Sequence, residues 1–338
     1  MLPITSASHL DNLTYPHPNI EDFTLNDILS ASRFPRTKGP PFKLSKTNLG
    51  TVDVFPLEFL QMVLSQLDLR TLTDFRRVNQ LAMEVVDSLL QYKAITTYAP
   101  NALRGILSIE TGRWISCDTL YEKLCTAECE QCGDFGGYLY ILTCKRVCFL
   151  CLSSDSKYLP LSHNDAIRKF GLDRSILNTL PRMRSIPGTY SPNRKKCNKQ
   201  LALVDSESAY QAGITLHGSL SAMQQHVSDI AAQKLREYDE RVLRSKAEGC
   251  GSTPRRPRTE DIFDSSSGNP LRFVAIIRTP WFNRTSRELV WGFHCIGCET
   301  CYSRRPLHWR RKFTVESFIE HIEQCGNIEN GKHSSAGR

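Results

Sequence analysis

Two closely spaced cysteine pairs lie near the middle of the chain, Cys129-x-x-Cys132 and Cys148-x-x-Cys151, with fifteen residues between them. Each pair predicts a tight turn whose sulfur atoms converge, and a strand pair in the intervening residues would bring the two turns together. Four thiolates complete a tetrahedral zinc site and leave no open position for a water molecule. The spacing therefore predicts a structural rather than a catalytic zinc ion.

A second set of candidate ligands lies near the C-terminus and combines Cys295-x-x-Cys298 with His321 and Cys325. The last two residues are four apart, so they share one face of a predicted helix. A turn that supplies two thiolates and a helix that supplies His and Cys can close a second structural zinc site. The composition leaves alternative ligands open for both sites, namely Cys125, Cys144, His294, Cys301 and His308.

No enzyme signature accompanies these ligands. The chain contains neither Gly-x-Ser-x-Gly nor His-Glu-x-x-His. The segment 326–334 is one residue short of a phosphate-binding loop, and His333 stands where that loop needs Ser or Thr to hold magnesium. Each cluster is complete on its own, whereas a RING domain interleaves its ligands. The sequence therefore predicts a non-catalytic protein with two structural zinc ions.

Three short amphipathic helices are predicted between residues 55 and 90, upstream of the cysteines. Pro56 stands at a helix start, where its missing N–H costs nothing. Asp68 and Asn79 are predicted N-caps of the second and third helices. Apolar residues recur at three- and four-residue steps in the first helix: Leu57, Leu60, Val63, Leu64 and Leu67. A segment this small cannot bury all of its apolar surface alone, so the surplus must face a partner or the rest of the chain.

This segment resembles an F-box in Phe55-Pro56-Leu57-Glu58, in residues 63–68, in Leu72 and in residues 77–79. The Trp that F-boxes carry near their end is missing, and Tyr92 stands close to its place. The resemblance implies docking on a Skp-type adaptor, which joins the module to a cullin ubiquitin ligase. It implies an apolar set that contacts the adaptor or supports the contact: Pro56, Leu57, Leu60, Leu64 and Leu72.

From residue 50 to 325 the order of parts is similar to a fungal class of F-box proteins with a cysteine-rich body. Residues 99–105 and 185–190, the β-rich stretch ending near Trp281, and Trp291-Gly292 before Cys295 carry that resemblance. It implies adaptor binding and says little about the substrate. The first zinc cluster and the helices after it also resemble, in layout only, the zinc core of the xeroderma pigmentosum group A repair protein.

The predicted fold class is α+β and mainly helical, with a three-helix module followed by a zinc-stapled body that carries small antiparallel hairpins. One hairpin is expected to pair residues 271–277 with residues 289–293. The expected organisation is a mostly flexible lead-in with one short helix (1–50), the F-box-like module (51–93), a helical body with the first zinc site (94–248), a disordered linker (249–270), a second zinc-stapled unit (271–326) and a flexible tail (327–338).

Composition narrows the function classes. No secretory signal and no membrane-spanning run is apparent, so the 13 cysteines are expected in a reducing compartment, cytoplasmic or nuclear, where metal binding prevails over disulfides. The net charge of +8 is modest for 338 residues, and two thiolate-bound zinc ions would lower it. The leading prediction is a substrate-recognition subunit of a ubiquitin ligase, and the alternative is a zinc-dependent nucleic-acid-binding or transcription-related protein.

A basic stretch with interleaved aromatics is the predicted contact for an unidentified protein target. Arginine and tryptophan are the anchors that protein interfaces favour. The stretch comprises Arg304, Arg305, Trp309, Arg310 and Arg311. The alternative is a solvated loop between the second cysteine pair and its helix.

Overall fold

The computed structural model describes residues 7–31, 49–50, 54–247, 255–257, 268–301 and 306–334. In these ranges the fold is α+β, with helices and six small antiparallel sheets of two or three strands, which confirms the predicted class. Among the described helices, none is both long enough and apolar enough to cross a membrane. The predicted linker falls largely outside the described residues.

The helices are α1 Ala7–Leu13, α2 Leu25–Ala31, α3 Leu57–Gln66, α4 Leu69–Arg76, α5 Gln80–Ser88, α6 Leu90–Tyr98, α7 Pro100–Ser108, α8 Cys117–Leu124, α9 Phe149–Ser154, α10 His163–Phe170, α11 Arg174–Leu177, α12 Ser206–His217, α13 Leu220–Ala247, α14 Ile296–Glu299 and α15 Val315–Cys325. The strands are β1 Thr14–Tyr15, β2 Tyr138–Tyr140, β3 Lys145–Val147, β4 Leu161–Ser162, β5 Arg182–Arg184, β6 Gly188–Tyr190, β7 Lys195–Cys197, β8 Ala202–Val204, β9 Ile276–Arg278, β10 Trp281–Phe282, β11 Leu289–Val290, β12 His294–Cys295, β13 Ile328–Glu329 and β14 Lys332–His333.

The three helices α3, α4 and α5 occupy the segment where the sequence predicts them, and their caps form as expected. Asp68 accepts a hydrogen bond from the N–H of Thr71, and Asn79 accepts one from the N–H of Ala82. Each bond satisfies a backbone donor that the first turn of the helix leaves open. Pro56 lies one position earlier than predicted and is the N-cap of α3. The positions at which these helices begin are therefore set by neighbouring residues in the sequence.

A three-stranded sheet in the order β3-β2-β9 forms the centre of the body. The register pairs Leu139 of β2 with Arg146 on one side and with Ile277 on the other. The structure differs here from the predicted hairpin, because β9 pairs with β2 and not with residues 289–293, while β10 pairs with β11. Ile276 and Ile277 are fully buried, so this strand adds more stabilisation as the edge of the central sheet than in an exposed hairpin.

The described part of the lead-in is folded, which corrects the expectation of a mostly flexible segment for residues 7–31. Strand β1 pairs with β12 in the antiparallel direction. Helix α2, close to the short helix predicted there, buries Leu25 and Leu29 completely in the main core. Asp22 is also buried and accepts a hydrogen bond from Tyr138. The described part of the lead-in therefore packs against the body.

Candidate metal centres

The structure brings together the four cysteines of the first predicted cluster, Cys129, Cys132, Cys148 and Cys151. Their Sγ atoms all lie within 4.8 Å of one another, and those of Cys132 and Cys148 are 3.6 Å apart. Zn–S bonds of about 2.3 Å at tetrahedral angles would place two sulfur ligands about 3.8 Å apart. A disulfide would need about 2.05 Å. The group therefore has the size of a metal site.

Two tight turns aim these sulfur atoms at one point. In the first turn the N–H of Gly133 donates to the carbonyl of Cys129, and Gly133 takes a φ of +79°, which a side chain would strain. In the second turn Cys148 is the N-cap of α9, and its Sγ accepts a hydrogen bond of 3.4 Å from the N–H of Cys151. The hairpin of β2 and β3 joins the two turns, as the sequence predicts.

The crowding of the four sulfurs favours a cation at their centre. A hydrogen bond from the thiol of Cys148 lowers the pKa of Cys129 to about 5. The same contact raises the pKa of Cys148, which holds the proton between the two sulfurs. Cys132 is exposed, and the other three cysteines are buried. A divalent ion would replace the shared protons and allow all four groups to be thiolates.

The second group consists of Cys295, Cys298, His321 and His333, and all four residues are buried. Nε2 of His333 lies 3.3 Å from Sγ of Cys295, and Nε2 of His321 lies 3.3 Å from Sγ of Cys298. The two Nε2 atoms are 3.2 Å apart. A tetrahedral zinc ion would separate sulfur from nitrogen by about 3.5 Å and nitrogen from nitrogen by about 3.3 Å. These distances also fit a four-coordinate site.

His333 occupies the position that the sequence analysis assigned to Cys325, which is a correction to the predicted ligand set. Cys325 lies on the same face of α15 as His321, but its Sγ is 3.5 Å from Nδ1 of that ring. The atom that faces Cys298 and His333 is Nε2, on the opposite side of the imidazole. Sharing a helix face therefore placed Cys325 behind the ligand and not beside it.

A hairpin in the predicted flexible tail delivers His333. Strands β13 and β14 pair around Asn330 and Gly331, which both have positive φ values, of 51° and 75°. Asn-Gly is the pair that two-residue hairpin turns prefer, so this signal was present in the sequence. Gly297 permits the approach, because a Cβ atom there would lie 2.8 Å from the His333 ring. The tail is therefore part of the site as far as Ser334.

Hydrogen bonds on the outer side of both rings orient the second group. Nδ1 of His333 lies 3.0 Å from the carbonyl of Gly326, so it is the N–H donor and leaves Nε2 free to bind. The Cys325 thiol has the corresponding position behind His321. Such outer partners fix the tautomer of a metal-binding histidine and its orientation. A hydrogen bond from Cys298 lowers the pKa of Cys295 to about 4.

The spare ligands that the sequence left open lie outside both groups of four in the described structure. Nδ1 of His294 is 3.1 Å from the carbonyl of Arg311, and its ring stacks on Tyr15. Cys144 is buried, which raises the pKa of its thiol to about 12. The remaining spare residues, Cys125, Cys301 and His308, also fall outside the groups.

The predicted target-binding arginines that the structure describes are internal links. Arg310 is 3% exposed, pairs with Asp22 and lies 3.6 Å from the ring centre of Phe149 in α9. Arg311 pairs with Asp134, next to the first cysteine turn, at 2.6 Å. We call these two residues the arginine clamp.

Two other predicted sets divide in the structure. Trp309 packs against the core around the second metal group, while Arg304 and Arg305 lie outside the described residues. Of the predicted adaptor-binding set, Leu64 and Leu72 are buried in the chain's own core. Leu60 is half-buried, and Pro56 and Leu57 are exposed. Burial excludes Leu64 and Leu72 from direct contact with a partner in this conformation.

Comparisons with protein-family models, with curated proteins and with solved structures gave no match for this chain.

Proposed function

We propose that this chain is a non-catalytic substrate-recognition subunit of a Skp-cullin ubiquitin ligase. In this proposal α3, α4 and α5 act as an F-box, and the body recognises a protein target. The observation that carries the proposal is an exposed apolar surface on and just before α3. We call this surface the α3 apolar face; it comprises Phe55, Leu57, Phe59, Met62 and Val63.

Each side chain of the α3 apolar face is between 47% and 60% exposed. Phe59, Met62 and Val63 are spaced three or four residues apart and lie on one side of the helix. The opposite side, including Leu64, packs into the main core. A helix that is apolar on both sides needs a second contact, because contiguous exposed apolar surface marks an interaction site. A Skp-type adaptor would bury it.

We further propose that both metal groups hold Zn²⁺. Two Cys pairs, and two Cys with two His, are ligand sets that zinc takes in structural sites. Both groups are complete with four protein ligands, so neither keeps a position for a reacting water. Their role in the proposal is to hold the body folded. The second group, with two thiolates and two neutral histidines around a divalent ion, adds no net charge. The first group, with four thiolates around a divalent ion, adds net negative charge.

The test is co-purification with Skp-type adaptors from co-expression. We expect Phe59→Glu with Met62→Glu to abolish capture, since burying each apolar side chain contributes about 1.5–3 kcal/mol and a buried unpaired carboxylate opposes binding. Leu243→Glu is the control, because Leu243 is an apolar side chain that is 67% exposed on a different helix, α13. Metal content should stay unchanged in both proteins. Failure of the wild-type chain to bind any Skp-type adaptor would refute the proposal.

A further inference from the structure

A cleft of about 720 Å³ with a mixed polar and apolar lining separates the three-helix segment from the body. The start of α4 and the loop after α7 form one wall, and β5 with the start of α10 forms the other. The lining side chains that matter here are Arg70, Arg113, Trp114, His163, Arg182 and Arg184. Four arginines in one cleft are a concentration of positive charge that neither metal group nor the α3 apolar face explains.

Only part of this charge is compensated inside the chain. Arg70 pairs with Asp74 at 2.8 Å, and Arg184 lies 3.5 Å from Glu110, a pair that is more than half exposed. Arg182 donates to the amide oxygen of Asn178, which is neutral. Within the described residues, neither Arg182 nor Arg113 pairs with a carboxylate. The cleft therefore has a net positive charge.

The body wall of the cleft is anchored in the core. β5 is an edge strand of the sheet β4-β8-β5, and its central residue Met183 is 2% exposed in the main core. The flanking residues Arg182 and Arg184 are exposed, as strand alternation requires. The N–H of Arg184 donates to the carbonyl of Ile109, which ties the strand to the opposite wall. Both guanidinium groups thus extend from a fixed backbone.

His163 supplies a second and independent feature. Its Nε2 atom is buried and has no hydrogen-bond partner among the described residues. Buried polar nitrogens are normally hydrogen-bonded, so an unpartnered one beside the arginines is a candidate hydrogen-bonding group for a ligand in the cleft. Burial lowers the pKa of His163, and the charges of Arg182 and Arg174 lower it further.

We propose that this cleft binds a phosphorylated serine or threonine in a segment of a partner protein, with Arg113 and Arg182 on the phosphate and Trp114 beside the flanking residue. A phosphate monoester has about two negative charges and three acceptor oxygens. It can therefore pair with two guanidinium groups at once, whereas a single carboxylate has only one negative charge. Trp114 is 41% exposed and can pack on peptide. The proposal rests on the proposed function, of which it would be the target-recognition step.

A peptide fits the cleft better than a nucleic acid does. Nucleic-acid binding uses a basic track that follows many phosphates. Here the four arginines line one cleft, the carboxylate of Glu110 lines it as well, and that of Asp74 pairs with Arg70. Those carboxylates would repel the phosphates that follow along a strand.

The experiment uses the full chain and an oriented peptide library with phosphoserine fixed in one arm and serine in the other. We expect retention of the phosphoserine arm only, and the best peptide is then measured by fluorescence polarisation. Arg113→Ala with Arg182→Ala should lower the affinity for that peptide by about a hundredfold, since each charge-assisted hydrogen bond contributes a factor of about ten or more to affinity. Arg236→Ala with Arg241→Ala, on exposed α13, removes the same charge elsewhere and should leave affinity within about twofold.

Competitors separate the sources of phosphate. Trp114→Ala should lower the affinity for the peptide, because Trp114 packs beside the flanking residue, and it should leave the competition by inorganic phosphate unchanged. Equal retention of both library arms, equal losses in the two double variants, or stronger competition by a single-stranded oligonucleotide than by the phosphopeptide would overturn the proposal. Adaptor capture is measured on the same variants. If the wild-type chain binds the phosphopeptide but captures no adaptor, the proposed function is refuted and the assignment of a phosphopeptide to the cleft still holds.

Discussion

The two metal groups differ in how far the chain must fold before each one exists. The first draws its four cysteines from two turns joined by one hairpin, within residues 129–151. The second draws its ligands from the β12–α14 turn, from α15 and from the β13–β14 hairpin, within residues 295–333. The first is therefore a local motif that the body is built on, and the second closes only after three elements have met.

The arginine clamp connects these two regions. Arg310 and Arg311 precede α15, which carries a ligand of the second group, and they contact Phe149 and Asp134 beside the first. Although one group is formed by a single hairpin and the other by three elements, the two groups are therefore not independent of each other. We expect the first group to control folding of the body, the second to control the C-terminal part, and the clamp to set how strongly the two are coupled.

The largest effect is expected from Cys148→Ser, because Cys148 belongs to the first group of candidate ligands and is also the N-cap of α9. Structural zinc sites contribute about 10–16 kcal/mol of apparent binding free energy, which is free energy of folding when the site exists only in the folded chain. Metal analysis should show a fall from two ions per chain to one or none, and the thermal unfolding transition should broaden or vanish. Cys197→Ser, outside both groups, is the control; an unchanged metal content in Cys148→Ser would show that the first group holds no ion.

His333→Ala should release the second ion and leave the first in place, because it removes a ligand that only the C-terminal hairpin supplies. We expect close to one ion per chain and a stable body. His17→Ala is the matched control, since His17 is exposed and lies outside the group. Retention of both ions in His333→Ala, together with their loss in Cys325→Ala, would restore Cys325 as the ligand.

Arg310→Ala tests the coupling between the regions. It would leave the buried carboxylate of Asp22 without its cation, and breaking a buried ion pair on one side costs about 3–5 kcal/mol. Chemical denaturation should show this loss of unfolding free energy, with the two metal ions released at different denaturant concentrations. Asp22→Asn added to Arg310→Ala should recover part of the loss. Equal unfolding free energies of the wild type and Arg310→Ala would contradict the proposed coupling of the two regions by the arginine clamp.

The smallest effect is expected from Cys325→Ala, because Cys325 only supports His321 from behind. Loss of such an outer partner lowers metal affinity by about 10–100-fold, or about 1.4–2.7 kcal/mol. Competition with a chromophoric chelator should show the change at the second site alone. Cys325→Ser, which keeps a hydrogen-bonding group, should fall between wild type and Cys325→Ala. A loss as large as that of His333→Ala would contradict the supporting role.

Sequence reasoning recovered features that neighbouring residues decide. The caps at Asp68 and Asn79 follow from side chains that bond the backbone three residues on. The pairing of β9 was missed, since an apolar strand carries no label for its partner and β2 is far away in the chain. The arginines at 310 and 311 read as surface anchors, because their partners Asp22 and Asp134 are visible only after folding.

The amino-acid sequence by itself determined the first metal group, because two CxxC turns separated by a hairpin converge wherever that hairpin forms. It also determined the half of the second group that lies in one turn, Cys295 and Cys298, and the ligand His321 on its helix. Only the tertiary structure decided between Cys325 and His333. The physical reason is direction. A side chain one helical turn away from His321 meets the outer nitrogen of its ring, whereas the inner nitrogen faces Cys298 and His333, which other elements supply.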